Sequence, residues 1–232
     1  MPFKFKQFNI VQNTTAMKVG TDGVLLGAWS CVNEGNILDI GTGTGLIAIM
    51  LAQRTKTALI DAIEIEKDAY NQAFENISNS DWSTRITTHF NSIQNYHPNK
   101  KYDLIISNPP FFKNSTKAPS KERNTARHND DLSFEDIINA VLRLLKPEGI
   151  FSLILPINES IHFIKLANKN NLFLNKECFV KPNRTKPAKR VLMQFSFINS
   201  DIQKEDLTIE TETRHQYTKE YISLTKDFYL NF

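Results

Sequence analysis

Short apolar segments of strand length alternate with segments of helical periodicity along most of this chain, starting near residue 35. Repeated strand–helix–strand units predict a doubly wound, mostly parallel sheet with helices on both faces. The last two strand-like segments have no helical pattern between them, so we expect a hairpin there and an antiparallel last strand. The sequence therefore predicts an α/β fold with a seven-stranded sheet, whose strands cover residues 36–40, 58–64, 86–90, 102–107, 150–155, 172–180 and 190–198.

The composition limits the kind of protein. The 232 residues suffice for one sizeable core, and a formal net charge of +3 demands no polyanionic partner for the chain as a whole. No stretch has the length and hydropathy of a signal peptide or a membrane-spanning helix. Cys31 and Cys178 lack metal-ligand spacing, and we expect both to be reduced and buried. We expect one cytoplasmic domain over 1–232, without a metal site, with a hairpin or helix extension at 1–34 and an acidic extension at 201–232.

A glycine-rich segment, Asp39-Ile-Gly-Thr-Gly-Thr-Gly45, joins the first of these strands to a helix. Its glycines let the backbone turn tightly at the carboxyl end of a central strand, where α/β sheets bind ligands. The spacing Gly41-x-Gly43-x-Gly45 is one residue shorter than the dinucleotide pattern, and no lysine follows as in a P-loop. The loop therefore fits a mononucleoside ligand without pyrophosphate, and Asp39 would orient the loop or meet a cationic group.

Polar residues also end the next two strands of the predicted sheet. Glu64, at the end of the second strand, can accept hydrogen bonds from both hydroxyls of a ribose and disfavours a phosphate there. Asn91 or Ser92, after the third strand, is placed to contact an adenine amino group. Together with the glycine-rich loop, these residues indicate a nucleoside site at this edge of the sheet.

The fourth strand ends in Asn108-Pro109-Pro110-Phe111. Two prolines stop the strand and remove two backbone N–H donors, which leaves a rigid corner with an amide, bare carbonyl oxygens and an aromatic ring. Such a corner suits the holding of a planar amino group with its lone pair directed at an electrophile. A Pro-Pro turn alone is more often purely structural, so its interpretation depends on the neighbouring motifs.

The order of these motifs resembles that of the class I S-adenosylmethionine-dependent methyltransferases. Their E/D-x-G-x-G-x-G loop matches residues 39–45, their ribose-binding acid matches Glu64, and the D/N/S-P-P-Y/F/W motif of the amino-methyltransferases matches residues 108–111. The resemblance covers residues 18–198 and implies a Rossmann-like fold, S-adenosylmethionine as the cofactor, and no metal. The cofactor-binding residues that we expect in this fold are Asp39, Gly41, Thr42, Gly43, Gly45, Leu46, Glu64, Ile65, Asn91 and Asn108.

The same resemblance implies a catalytic role for the corner formed by Asn108, Pro109, Pro110 and Phe111. We expect the Asn108 side-chain oxygen and the Pro109 carbonyl to accept both N–H bonds of an exocyclic amine, which directs its lone pair toward the methyl group. Phe111 would stack on the base, a contact worth about 1–3 kcal/mol. No strong general base is needed, because the proton becomes acidic once the amine is methylated.

The motif resembles those of adenine-N6, guanine-N2 and glutamine-N5 methyltransferases, so the flanking sequence has to distinguish among them. Two basic segments near the carboxyl ends of strands would suit phosphate contacts, although each taken alone is equally consistent with solvated loop charge. A base amine would have to be unpaired or flipped to reach the corner. The candidate RNA-binding residues are Lys113, Lys117, Lys121, Arg123, Arg127, His128, Arg184, Lys186, Lys189 and Arg190.

Both ends of the chain resemble the bacterial tRNA adenine-N6 methyltransferases that modify the adenine 3′ of the anticodon in valine tRNA. Segments 3–12, 17–29 and 217–230 carry this resemblance. It implies that residues 18–24 pack over the cofactor site, with Thr21 and Asp22 as cofactor or substrate contacts. It also implies tRNA as the partner, and no obligate protein partner is evident.

Two other functions compete with this interpretation. A glutamine-N5 methyltransferase acting on a release factor would need a helical N-terminal substrate domain, for which the sequence before residue 35 is too short. A cofactor-binding module without catalysis is disfavoured because the glycine-rich loop and residues 108–111 are both intact.

Overall fold

A mostly parallel sheet forms the centre of the protein and carries helices on both faces. The computed structural model describes residues 2–13, 18–110 and 132–232. Its strands are β1 (Phe3–Lys4), β2 (Asn9–Ile10), β3 (Asn36–Ile40), β4 (Leu59–Glu64), β5 (Ile86–Phe90), β6 (Tyr102–Ser107), β7 (Leu145–Pro156), β8 (Phe173–Asn183), β9 (Arg190–Ser196) and β10 (Gln203–Glu210). Its helices are α1 (Thr21–Trp29), α2 (Leu46–Arg54), α3 (Lys67–Ser78), α4 (Phe134–Leu144), α5 (Ile157–Lys169) and α6 (Lys219–Thr225).

Eight strands of the described chain form the central sheet, in the order β10-β8-β9-β7-β6-β3-β4-β5. The strands β7, β6, β3, β4 and β5 pair in parallel, with α2 and α3 as crossover helices. β9 follows β8 through a hairpin and inserts between β7 and β8, antiparallel to both. This topology confirms the predicted doubly wound α/β sheet and the antiparallel strand in 190–198.

The sheet has one strand more than the predicted seven, in the segment expected to be an acidic extension. β10 pairs in parallel with β8 at the edge of the sheet, so the antiparallel strand is not the last one. Leu207 is the one buried residue of β10, and its first four residues are polar or charged and exposed. The sequence of this segment therefore has no apolar pattern typical of a strand. Backbone pairing along the strand holds β10 to β8, and ion pairs accompany this pairing between Lys176 and Glu205 at 3.0 Å and between Lys181 and Asp206 at 3.2 Å. Charged side chains are common on edge strands because they discourage further pairing.

An apolar core lies on each face of the sheet. One core joins the sheet to α1, α2, the β1–β2 hairpin and the C-terminal segment, and the other joins it to α4 and α5. The hairpin contacts the C-terminal segment through Phe5, whose ring stacks on that of Tyr229 at 5.8 Å. Cys178 is buried as expected, whereas the prediction for Cys31 is wrong because Cys31 is exposed. None of the helices in the described ranges is long and apolar enough to cross a membrane.

A buried carboxylate joins three of the strands that end at the candidate site, namely β4, β5 and β6. Asp61 on β4 accepts the hydroxyl of Tyr102 and the ammonium of Lys100, both at 2.6 Å, and lies 2.9 Å from Nε2 of His89. Burial alone would raise the pKa of Asp61, but the hydrogen bonds from these three side chains outweigh burial and hold it well below its usual range. The network therefore fixes β4 against both β5 and β6.

Helix α1 lies very close to α2 because two glycines of α1 face that helix. A Cβ on Gly27 would lie 2.9 Å from Sδ of Met50, which is fully buried, and one on Gly23 would lie 3.3 Å from Cδ2 of Leu46. The two glycines are four residues apart and so share one face of the helix. This close approach sets the first turn of α1 beside the start of α2.

Replacing Gly27 with valine is expected to lower the free energy of unfolding by about 1–3 kcal/mol, because the new side chain overpacks the contact with Met50. Helix propensity alone favours valine over glycine in a helix interior, so a lower free energy of unfolding would have to come from the packing against Met50. Urea unfolding followed by circular dichroism measures the change. Gly20→Ala is the control, since the nearest atom to its Cβ would be the Lys18 carbonyl oxygen at 3.8 Å. Equal destabilisation of both variants would contradict this account.

Candidate active site

The carboxyl ends of β3, β4, β5 and β6 meet at one edge of the sheet and border two adjoining cavities. The larger cavity, of about 300 Å³, lies between the loop after β3, the first turn of α1 and the end of β6. The smaller, of about 40 Å³, lies beside the ends of β4 and β5. The predicted site residues that line one or both cavities are Thr21, Asp22, Gly41, Thr42, Gly43, Leu46, Ile65, Asn91 and Asn108.

The glycine-rich loop is fixed to the neighbouring strand by its own backbone. The N–H groups of Gly41 and Thr42 both donate to the carbonyl of Ile63 at 2.9 Å, and Gly45 caps α2. Gly41 and Gly43 have φ values of +69° and +59°, which other residues adopt only with strain. A Cβ on either glycine would meet no described atom within 4 Å. The loop therefore presents bare backbone to open space, as a ligand cradle requires.

The carboxylate of Glu64 holds the loop and the start of the next connection. Its Oε2 accepts the N–H of Gly43 at 2.9 Å, and its Oε1 accepts those of Ile65 at 2.9 Å and Glu66 at 3.0 Å. An ionised carboxylate has about four acceptor positions, and these bonds use three of them. Glu64 thus shapes the loop, a role that its position in the sequence did not indicate. Its carboxylate can still accept one more hydrogen bond.

Asp39 lies at the base of the loop with 1% of its surface exposed. Its Oδ2 accepts the hydroxyl of Thr42 at 2.6 Å, while its buried Oδ1 has no hydrogen-bond partner among the described residues. Burial raises the pKa of Asp39 to about 7, and the charge of Glu64 adds to this rise. The Thr42 hydroxyl and the backbone N–H of Ala48 act in the opposite direction. A donor or cation beside Oδ1 would favour the ionised form.

Asn108 follows β6 directly, and β6 pairs with β3, so its amide lies beside the glycine-rich loop. Its Oδ1 is buried without a hydrogen-bond partner in the described part of the chain. Buried carbonyl oxygens normally have a partner, so an unpaired one at the wall of a cavity is a preformed acceptor for a ligand N–H. Pro109 is buried and Pro110 is exposed, whereas Phe111 lies outside the described residues.

Two residues of the α1 region belong to the site although the sequence did not single them out. Lys18 is exposed and lines the larger cavity, and a Cβ on Gly23 would lie 3.8 Å from Nδ2 of Asn108. The resemblance of this stretch indicated Thr21 and Asp22 only. The helix face that meets Asn108 depends on how α1 packs on α2, which the sequence does not specify.

Comparison with known proteins identifies the family. The Methyltransferase small domain family matches residues 14–160. The tRNA1(Val) (adenine(37)-N6)-methyltransferase of Flavobacterium psychrophilum is 49% identical over 98% of this chain and 99% of its own length. The protein of the same name from Pseudoalteromonas translucida is 47% identical over 98% of both chains. This protein belongs to the tRNA1(Val) (adenine(37)-N6)-methyltransferase family. The resemblance inferred from the motifs and termini is thereby confirmed.

Solved methyltransferase structures share the fold of this member of the family. A predicted O-methyltransferase from Agrobacterium tumefaciens has a TM-score of 0.69 at 17% identity, over 89% of this chain and 96% of that chain. Pyrococcus horikoshii TYW2 in complex with MeSAdo has a TM-score of 0.59 at 13% identity, over 84% of this chain and 69% of that chain. These likenesses confirm the predicted class I methyltransferase fold.

The predicted RNA-binding residues of this methyltransferase fall into different surroundings. Three of them are exposed on the connection between β8 and β9, namely Arg184, Lys186 and Lys189. Arg190 differs, because its Nε donates to Oδ2 of Asp22 at 2.8 Å and so contacts the rim of the larger cavity. The others lie outside the described residues and are Lys113, Lys117, Lys121, Arg123, Arg127 and His128.

Proposed function

We propose that this protein transfers the methyl group of S-adenosylmethionine to the exocyclic N6 of adenine 37, next to the anticodon of tRNA1(Val). The observation that carries the proposal is the buried, unpartnered Oδ1 of Asn108 at the wall of the larger cavity. An amino group is the complementary donor for such an oxygen. Relatives that match almost the full chain bear names that specify this substrate.

The residues around the two cavities fit S-adenosylmethionine, which supplies a methyl group activated by its sulfonium. The glycine-rich loop leaves open space, and Glu64 retains one acceptor position for a ribose hydroxyl. The unpartnered Oδ1 of Asp39 offers negative charge to the ammonium of the methionine part. Ile65 and Asn91 line the smaller cavity and give the adenine ring an apolar contact and an amide. This donor set suits a cationic nucleoside without phosphate.

The corner after β6 would orient the amine of the substrate. The Asn108 side-chain oxygen and the Pro109 carbonyl accept its two N–H groups, so the lone pair points into the cleft. Phe111 would stack on the base, and the burial of Asn108 Oδ1 would keep water from competing for the same donors. Positioning and fixed dipoles of this kind supply most of the rate without a strong base.

The connection between β8 and β9 would bind the tRNA backbone. β8 is parallel to β7 and β6, so this connection lies at the same edge of the sheet as Asn108. Exposed cations there suit phosphate contacts, which would hold the anticodon arm over the cleft. They are Arg184, Lys186 and Lys189.

Mass spectrometry of nucleosides tests the proposal directly. The purified protein is incubated with S-adenosylmethionine and a tRNA1(Val) transcript, and we expect one N6-methyladenosine per tRNA. A transcript with guanine at position 37 is the matched control and should stay unmethylated. N2-methylguanosine, methylation of the control transcript, or label transferred only to protein would each contradict the proposed function.

The same assay tests the expectations about metal and partners. In the described ranges, no three His, Cys, Asp or Glu side chains are placed to hold a metal ion. We expect purified protein treated with EDTA to retain its activity, because transfer from a sulfonium to an amine needs no Lewis acid. Loss of activity that returns on adding Mg²⁺ or Zn²⁺ would contradict this expectation. We also propose that the reaction takes place in the cytoplasm and needs no obligate protein partner, so the purified protein alone should be active in this assay.

A further inference from the structure

An ion pair joins two parts of the site that lie 168 residues apart in the sequence. The Nε of Arg190 donates to Oδ2 of Asp22 at 2.8 Å. The two side chains are 30% and 24% exposed, so water only partly screens the pair. Charge-assisted hydrogen bonds are stronger than those between neutral groups. The pair therefore ties the first turn of α1 to the start of β9.

The first turn of α1 is held weakly by its own hydrogen bonds. Gly20 precedes the helix and provides no side-chain cap. The first bond of the helix, from the Val24 N–H to the Gly20 carbonyl, is long at 3.4 Å. Most helices gain stability at this end from a capping side chain. The contact with Arg190 therefore adds to the packing on α2 in fixing this turn.

This turn forms one wall of the cleft that holds the Asn108 amide. Thr21 and Asp22 line the larger cavity together with Asn108. Gly23, the next residue, packs against the Asn108 side chain closely enough that a Cβ there would be in contact with Nδ2. Movement of the turn would change both the width of the cleft and the orientation of the amide.

We infer that Arg190 is a positioning residue, which holds the first turn of α1 against Asn108 through Asp22 and does not serve as a phosphate ligand. As far as it concerns methyl transfer, the inference rests on the proposed function. Arg190 directly follows the exposed cations of the β8–β9 connection, and the Lys189 N–H donates to the Val180 carbonyl at 2.9 Å. One end of β9 thus carries both the proposed tRNA surface and the support of the cleft.

Arg190→Gln, Asp22→Asn and the double variant test this inference in the full chain. Lys189→Gln is the neighbouring control for phosphate binding. Lys181→Gln is the control for an ion pair in the same hairpin, since Lys181 pairs with Asp206 on β10. The measurements are the dissociation constant of S-adenosylhomocysteine, hydrogen exchange at the Val24 amide, and kcat and KM for tRNA at two salt concentrations.

Arg190→Gln and Asp22→Asn should each raise the dissociation constant of S-adenosylhomocysteine and lower kcat by about tenfold. The double variant should lose no more than either single variant, because all three lack the same Asp22–Arg190 ion pair. Exchange at the Val24 amide should become faster in all three. Lys189→Gln should raise KM for tRNA and reduce its salt dependence, with cofactor affinity unchanged. Lys181→Gln should alter none of these quantities.

The inference is overturned if Arg190→Gln behaves like Lys189→Gln, with a raised KM for tRNA and unchanged cofactor affinity and Val24 exchange. Additive losses in the double variant would overturn it as well, since the two residues would then act separately. Failure of the wild-type protein to methylate tRNA would refute the proposed function alone. Cofactor affinity and hydrogen exchange would still decide the role of Arg190.

Discussion

Replacing Asn108 with alanine is expected to lower kcat for methyl transfer to tRNA by about 10²–10³-fold, with little change in the affinity for S-adenosylhomocysteine. The substitution removes the buried Oδ1 that would accept the N6–H of the substrate. The exocyclic amine would then lose one of the acceptors that orient it, and its lone pair would stay conjugated with the ring instead of pointing at the methyl group. Single-turnover methylation measures the chemical step, and calorimetry measures cofactor binding.

Two matched variants separate the role of this oxygen from general damage. Asn108→Asp keeps an acceptor in the same place and should retain at least about tenfold more activity than Asn108→Ala. Asn91→Ala removes an amide from the smaller cavity and should show the opposite pattern, with weaker cofactor binding and kcat nearly intact. Asn108→Ala that keeps more than a tenth of wild-type kcat would refute the mechanism.

The parts of this fold that were predictable from sequence are those with strong local patterns. Buried parallel strands read as short apolar runs, and the residues that end them must gather at one edge of the sheet whatever the loop details. This explains why most of the residues from Gly41 to Asn108 that were chosen from motifs line adjoining cavities, whereas Gly45 and Glu64 line neither of the two. The antiparallel direction of β9 was predictable from chain length, because the connection from β8 is too short for the crossover that a parallel pair needs.

Other features depend on contacts that no local pattern encodes. β10 joins the sheet through backbone pairing with β8, and its first four side chains are exposed, so no apolar run marks it in the sequence. The pairing of Arg190 with Asp22 joins residues that lie far apart in the chain. From sequence alone, Arg190 was therefore interpreted as one more cation of a basic loop. The unpartnered oxygens of Asp39 and Asn108 became visible only when their neighbours were known. Function-bearing details of this site thus arise from tertiary packing.

Asp39→Asn is expected to stabilise the cofactor-free protein at pH 8 by up to about 4 kcal/mol. The folded protein holds the Asp39 proton up to a pKa of about 7, because burial disfavours the charge, whereas the ordinary value is 3.8. Between these pH values the folded state binds more protons than the unfolded state, so stability falls as pH rises. Asparagine cannot ionise and avoids this loss. Urea unfolding at pH 4 and pH 8 should show similar stabilities at pH 4 and the gain at pH 8.

The same substitution should weaken binding of S-adenosylhomocysteine, whose ammonium would meet the ionised carboxylate. For the wild type, affinity should rise by up to about tenfold per pH unit between pH 6 and pH 7, because binding requires Asp39 to release its proton. In Asp39→Asn the affinity should be low and nearly independent of pH over this range. Calorimetry in buffers with different ionisation enthalpies would detect the released proton.

Thr42→Val provides the control for this link between stability and binding. The Thr42 hydroxyl donates to Asp39 at 2.6 Å and so lowers the pKa of Asp39. Removing it should raise this pKa, and the rise in affinity should therefore move to higher pH. Equal affinities of wild type and Asp39→Asn at pH 8 would show that the carboxylate does not meet the ligand. If instead the predicted pattern is found, the unpartnered Oδ1 of Asp39 costs the empty protein stability because the cofactor is what completes its hydrogen bonding.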